Sequence, residues 1–165
     1  MRVLIVKTSS LGDVVHTLPA LTEAARARSD LRFDWLVEPA FAAVPAWHDA
    51  VDRVVEAPLR RLRCGPPRTA RAGLRALGQR LRARRYDLVI DAQGLLKSGL
   101  LARWARGLRI GPDPASAREG PAALCYDRWV DQRPVTHAVE RTRWLFAAAL
   151  GHPLEGRARD HGLGA

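Results

Sequence analysis

Apolar residues follow two rhythms along this chain. Short unbroken runs such as VLIV (Val3–Val6) and LVI (Leu88–Ile90) suit strands buried on both faces of a sheet. Between them lie longer stretches with apolar positions three and four apart, as an amphipathic helix requires. The pattern predicts strands over residues 2–7, 32–37, 51–57 and 87–93, with a short one at 108–111. It predicts helices to about residue 27 with Pro19 in the first turn, over 41–47 broken by Pro45, over 94–106, and over 137–150, where Gly151 and Pro153 stop the chain. Strands that alternate with helices almost throughout predict a doubly wound α/β domain with a mainly parallel sheet. In such sheets ligands sit beyond the carboxyl ends of strands. That directs attention to Ser9-Ser10-Leu11-Gly12-Asp13 after the first strand and to Asp91-Ala92-Gln93-Gly94 after the later one.

Charge changes the picture next. The 165 residues carry a formal net charge of +10, and Lys7 and Lys97 are the only lysines. Residues 60–85 contain ten arginines and no acidic residue, so a polyanionic partner is favoured: nucleic acid, anionic lipid headgroups or a phosphorylated glycan. Leu74, Leu77 and Leu81 give this segment an apolar stripe, and a solvated helix face accounts for Arg71 to Arg85. Arg60, Arg61 and Arg63 are expected in a loop beyond a strand end, where guanidinium forks bind phosphate or carboxylate.

Several classes are set aside. No apolar run approaches the roughly 20 residues that span a bilayer, and the opening run is too short for a signal peptide; a cytoplasmic location is expected. Cys64 and Cys125 show no pairing or metal-ligand spacing and are expected reduced. Neither common nucleotide-binding glycine fingerprint occurs, and no pattern suggests a metal site. Aromatics are too scattered among the basic residues for a single-stranded nucleic-acid platform. Asp13 reads equally as a helix cap or as a base presented to a ligand. Gln93 and Lys97 are cleft candidates that capping and packing explain nearly as well. Glu140 with Arg143 reads as a surface ion pair.

Taken together, MRVLIVKTSSLGDVVHTLPAL, DLVIDAQGLLKSGLLA, AREGPAALCY and HAVERTRWLFA resemble the bacterial lipopolysaccharide heptosyltransferases, glycosyltransferase family 9. The likeness is strongest to the branch that adds the first heptose to Kdo, and runs to about Gly151. It implies the amino-terminal half of a GT-B glycosyltransferase: a Rossmann-like acceptor-binding domain over residues 1–151, with 152–165 starting a linker towards a carboxyl-terminal domain that this chain lacks. By itself the chain is expected to be inactive. The resemblance implies metal-independent, inverting transfer of heptose from ADP-heptose to Kdo2-lipid A, with no cofactor. Asp13 matches the general base, and Ser10 and Gly12 match the loop lining the reaction centre. Arg60, Arg61, Arg63, Arg118 and Arg141 match acceptor-binding positions. Cys64 stands where many members carry another basic residue. Peripheral contact with the anionic inner face of the inner membrane is implied, and no nucleic-acid partner. A truncated, non-catalytic domain and a basic nucleic-acid-binding domain are the alternatives.

Overall fold

The computed structural model describes residues 1–154, 156 and 160–162. Six strands form one parallel sheet in the order β3-β2-β1-β4-β5-β6. They are β1 (Arg2–Val6), β2 (Arg32–Val37), β3 (Val51–Glu56), β4 (Arg85–Asp91), β5 (Arg106–Pro112) and β6 (Arg128–Val130). The chain winds outward from β1 to β3, then returns to the centre and winds outward the other way from β4. The order therefore reverses between β1 and β4, and a crevice opens there beyond their carboxyl ends.

Alternate residues of the strands feed two cores. Val3, Ile5, Phe33, Trp35, Leu88 and Ile90 pack under α2 (Leu18–Ala27) and α7 (Ala138–Leu150). Leu4, Val6, Leu36 and Val89 pack under α5 (Pro67–Arg82) and α6 (Leu96–Trp104). The continuous apolar strands follow from this double cover. A single-faced sheet would have alternated polar residues with them.

Four regions differ from the sequence-based expectation. A short helix, α1 (Leu11–Val15), precedes α2, so the turn after β1 is itself helical. The region around Pro45 divides into a 3-10 turn (Pro39–Phe41) and α3 (Ala43–Ala46). Arg60, Arg61 and Arg63 lie not in a loop but on α4 (Leu59–Cys64). Here Leu62 rests on Gly73 of α5, where a Cβ would come 2.3 Å from Leu62 Cδ2. Strand β6 and the 3-10 helix before it (Gly120–Cys125) were not expected. Of the segment expected as a linker, residues 155, 157–159 and 163–165 lie outside the described residues. Of the others, His152 is buried, and Asp160, itself exposed, pairs with Arg26.

Arg143 is not on the surface. Its Nε and Nη2 donate to the two oxygens of Glu23 on α2 at 2.7 and 3.0 Å, and its Nη1 donates to Glu140 at 2.7 Å. Both Arg143 and Glu23 are buried. The expected Glu140–Arg143 pair exists, but as the outer arm of a buried fork that joins α7 to α2.

Candidate active site

The crevice between β1 and β4 is a cleft of about 110 Å³. Asp13 projects into it from α1. Its Oδ2 accepts the Ser10 backbone N–H at 3.1 Å, which ties down the helix start. Its Oδ1 faces two cations, Arg118 Nη2 at 2.7 Å and Lys7 Nζ at 3.8 Å. One oxygen caps and the other meets the cleft, so the two readings of this aspartate are compatible. Burial pushes the Asp13 carboxyl up. Lys7, the Ser10 N–H and Arg118 outweigh it, and the net shift is below the ordinary aspartate value. The group is ionised at neutral pH.

Lys7 stands at the carboxyl end of β1, where its ammonium donates to the Ala92 carbonyl at 2.8 Å. It is almost wholly buried, and burial, opposed by Asp13, lowers its pKa. Lys7 therefore bonds the β1 and β4 loops together and places a positive charge behind Asp13. Gln93 makes a second tie: its Oε1 accepts the Thr8 and Ser9 N–H groups at 3.0 and 3.3 Å.

The floor of the β4 loop is Asp91, wholly buried. Its oxygens accept the Gln93 and Gly94 N–H groups, the Ser98 hydroxyl and the Tyr126 hydroxyl, at 2.8, 3.2, 2.8 and 2.7 Å. Burial pushes this carboxyl up against the pull of those four donors. Burial, and next Asp91 itself, pushes the Tyr126 hydroxyl far above its usual value, so it stays a donor. Asp91 lines the cleft but is fully engaged in holding the loop.

Gly94 turns the chain at φ 70°, a left-handed conformation. A Cβ there would lie 3.2 Å from Pro112 Cγ and 3.3 Å from the Arg118 backbone nitrogen. Gly94→Ala is expected to cost about 1–2 kcal/mol from the backbone alone and to displace Arg118. Thermal unfolding would register the first effect, and weaker binding of an anionic ligand in the cleft the second.

The expected site residues fall into two groups. Asp13, Arg118 and Arg141 line one cleft, with Ser10 and Gly12 on the helix start beside it. A Cβ on Gly12 would meet no protein atom within 4 Å, so the space beside it is open to a ligand. Arg141 bonds the Ser116 carbonyl at 2.5 Å, which holds the loop after β5 to α7. Arg60 and Arg61 instead line a separate recess beside Glu38, Glu56 and Arg80, beyond the ends of β2 and β3. Arg60 also lies over the Phe41 ring at 5.9 Å. Arg63 is exposed on the same helix. Among the described residues none of these three guanidiniums forms an ion pair. Lys97 lies on the exposed face of α6, away from the cleft lining, whereas Gln93 is part of it. Lys7 was not among the expected site residues; its position at the end of the VLIV run was the available signal.

Lys7, Arg118 and Arg141 face Asp13 and the already engaged Asp91, so the cleft keeps an unpaired excess of positive charge. It suits an anionic ligand that also presents a proton to Asp13. Among the described residues no group of three or more His, Cys, Asp or Glu side chains is arranged to hold a metal ion.

Comparisons with known proteins bear on the family and the fold. The model of glycosyltransferase family 9 (heptosyltransferase) matches residues 74–163. The chain is 54% identical over 165 residues to lipopolysaccharide heptosyltransferase 1 of Pseudomonas aeruginosa, covering 99% of this chain and 46% of that protein. It is 51% identical over 168 residues to the protein of the same name from Escherichia coli K12, with 99% and 52% covered. Among solved structures it matches E. coli heptosyltransferase WaaC with ADP-2-deoxy-2-fluoro heptose, at TM-score 0.92 and 48% identity over 99% of this chain and 52% of that one. The α/β architecture expected of one half of a GT-B enzyme is thus shared with WaaC. The chain spans about half the length of the relatives it matches. A parallel sheet with its ligand cleft at the switch point, a family model matching more than half of the residues and relatives about half identical lead to one assignment: the chain belongs to glycosyltransferase family 9, the heptosyltransferases.

Proposed function

We propose that this chain supplies the acceptor site and the catalytic base for transfer of L-glycero-D-manno-heptose from ADP-heptose to a Kdo residue of Kdo2-lipid A, a step of lipopolysaccharide inner-core synthesis at the cytoplasmic face of the inner membrane. The observation that carries this reading is the ionised Asp13 carboxylate, held at a strand's carboxyl end in a cleft with surplus positive charge. The relatives' names support the heptosyl and lipopolysaccharide parts of it.

Asp13 takes the proton of the acceptor hydroxyl as its oxygen bonds to the anomeric carbon of heptose. The bond from that carbon to ADP breaks on the opposite face, ADP leaves with the electron pair, and the configuration inverts. The step uses no metal and no cofactor. Arg118 and Arg141 meet the acceptor's carboxylates, and Arg60, Arg61 and Arg63 its phosphates. The nucleotide end of the donor is held by protein outside these residues.

The test is binding of Kdo2-lipid A in detergent to the 165-residue chain, with duplex DNA as competitor at two salt concentrations. Binding that resists DNA and weakens at least about tenfold in Arg118→Gln is the expected result, on the scale of one charge-assisted hydrogen-bonded contact. Equal competition by DNA, with both interactions collapsing in salt, would mark a nonspecific basic surface.

A further inference from the structure

The positive charge of this protein is not spread evenly over the two helical layers. Helices α4, α5 and α6 share one face of the sheet, and none contains an acidic residue. On the opposite face α2 and α7 each contain one, Glu23 and Glu140, and both engage Arg143. Along α5, Arg68, Arg71, Arg75 and Arg82 recur at intervals of three, four and seven, so they form one stripe, and all are exposed. Leu77 and Leu81 point the other way into the core. This is a cation row on the outward side of a helix that is firmly packed on its inward side.

Exposed leucines stand in the same layer. Leu96 and Leu100, four residues apart on the outer face of α6, are 41% and 49% exposed, and Leu124 on the adjoining 3-10 helix is 78% exposed. Arg103 links the two elements by bonding the Leu124 carbonyl. Lys97 lies beside Leu96. Nucleic acid would satisfy the arginines but offers nothing to three protruding leucines. A bilayer surface accepts both, cations at the headgroups and leucines just below them. No helix among the described residues is long and apolar enough to cross a membrane, so such contact is peripheral.

We propose that the α4–α5–α6 layer is the face with which this protein lies on an anionic lipid bilayer. The inference rests on the heptosyltransferase reading, in which the acceptor is itself a lipid. α6 follows directly from the β4 loop that lines the Asp13 cleft. That loop is where this layer adjoins the cleft, whose other wall is α7 through Ala138, Arg141 and Thr142.

The experiment is flotation of the 165-residue chain with vesicles of phosphatidylcholine, alone and with phosphatidylglycerol added, at low and high salt. The wild-type chain should float with the anionic vesicles only. Arg68→Glu/Arg71→Glu/Arg75→Glu should weaken capture at least about tenfold. Leu96→Ser/Leu100→Ser should keep low-salt capture but lose what survives at high salt. A control away from this layer, Arg26→Glu on α2 with Arg133→Glu in the loop after β6, should float like wild type. Should the glutamate variant fail to fold by circular dichroism, the corresponding three Arg→Gln changes replace it.

Loss of capture in the control equal to that in the α5 variant overturns the proposal, as does no preference for anionic vesicles. So does displacement from vesicles by duplex DNA that depends on the same arginines. Binding of the de-acylated, water-soluble Kdo acceptor is measured in parallel. If that acceptor binds but vesicles do not, the docking face is wrong and the acceptor reading stands. If vesicles bind as expected but the acceptor does not, the docking face stands without that reading.

Discussion

Asp13→Asn is expected to slow heptosyl transfer by about 10²- to 10⁴-fold, the usual contribution of a positioned general base. The measurement uses a chimera that joins this chain to the half of E. coli WaaC it does not cover. Asparagine keeps the size of aspartate and can still accept the Ser10 N–H, so α1 keeps its start. It cannot take the hydroxyl proton. Acceptor affinity should hold or improve, because removing the one accessible negative charge leaves Lys7 and Arg118 free to attract an anion. A loss of affinity as large as the loss of turnover would defeat the base assignment, and unchanged turnover would reduce Asp13 to a cap. The pH profile gives a second readout. Since Asp13 is held below the ordinary aspartate range, the acid limb of kcat/KM should lie below that range, with no loss from this group near neutrality. Arg118→Gln removes a stabilising charge, so the limb should move to higher pH.

Much of this architecture is legible along the chain, and the exceptions share a cause. The runs VLIV and LVI are apolar at every position because the sheet is covered twice, and together with the alternation of strands and helices they predict the doubly wound fold. Asp13 and Gln93 are visible because they stand in the short segments that lead out of those runs. Arg118 is different: it reaches Asp13 across 105 positions of sequence, through a Pro-rich loop whose path depends on the turn at Gly94. No local pattern encodes that meeting, and it was expected here only by family resemblance. Lys7 looked like the polar end of a strand, and its burial depends on the Ala92 carbonyl of a neighbouring strand's loop. Strand β6 is three residues long, of which Arg128 and Trp129 are exposed, too short to show a period. The helix of Arg60, Arg61 and Arg63 begins after Pro58 and ends before Gly65, signals that suit a loop equally well. Its Leu62 packs over Gly73 of α5, a contact that no local pattern encodes.

Arg143 shows the same limit at the level of energy, and it carries the largest expected effect on stability. Helical spacing places it beside Val139 and Phe146, the buried face of α7, but its partner Glu23 is on α2, 120 residues away. Arg143→Met leaves Glu23, 6% exposed in its side chain, without the fork that solvates it. Breaking one partner of a buried ion pair costs about 3–5 kcal/mol, on the order of 10 °C in Tm at roughly 2–4 °C per kcal/mol for a chain of this size. Replacing both groups, as Glu23→Leu/Arg143→Met, should restore most of the loss, since two apolar side chains of similar volume need no desolvation. The double-mutant cycle then gives the coupling directly. If the single variant melts like wild type, or the double variant melts as low as the single, the fork is not what holds α7 to α2. The packing of Phe146, Leu145 and Leu150 would then carry that contact alone.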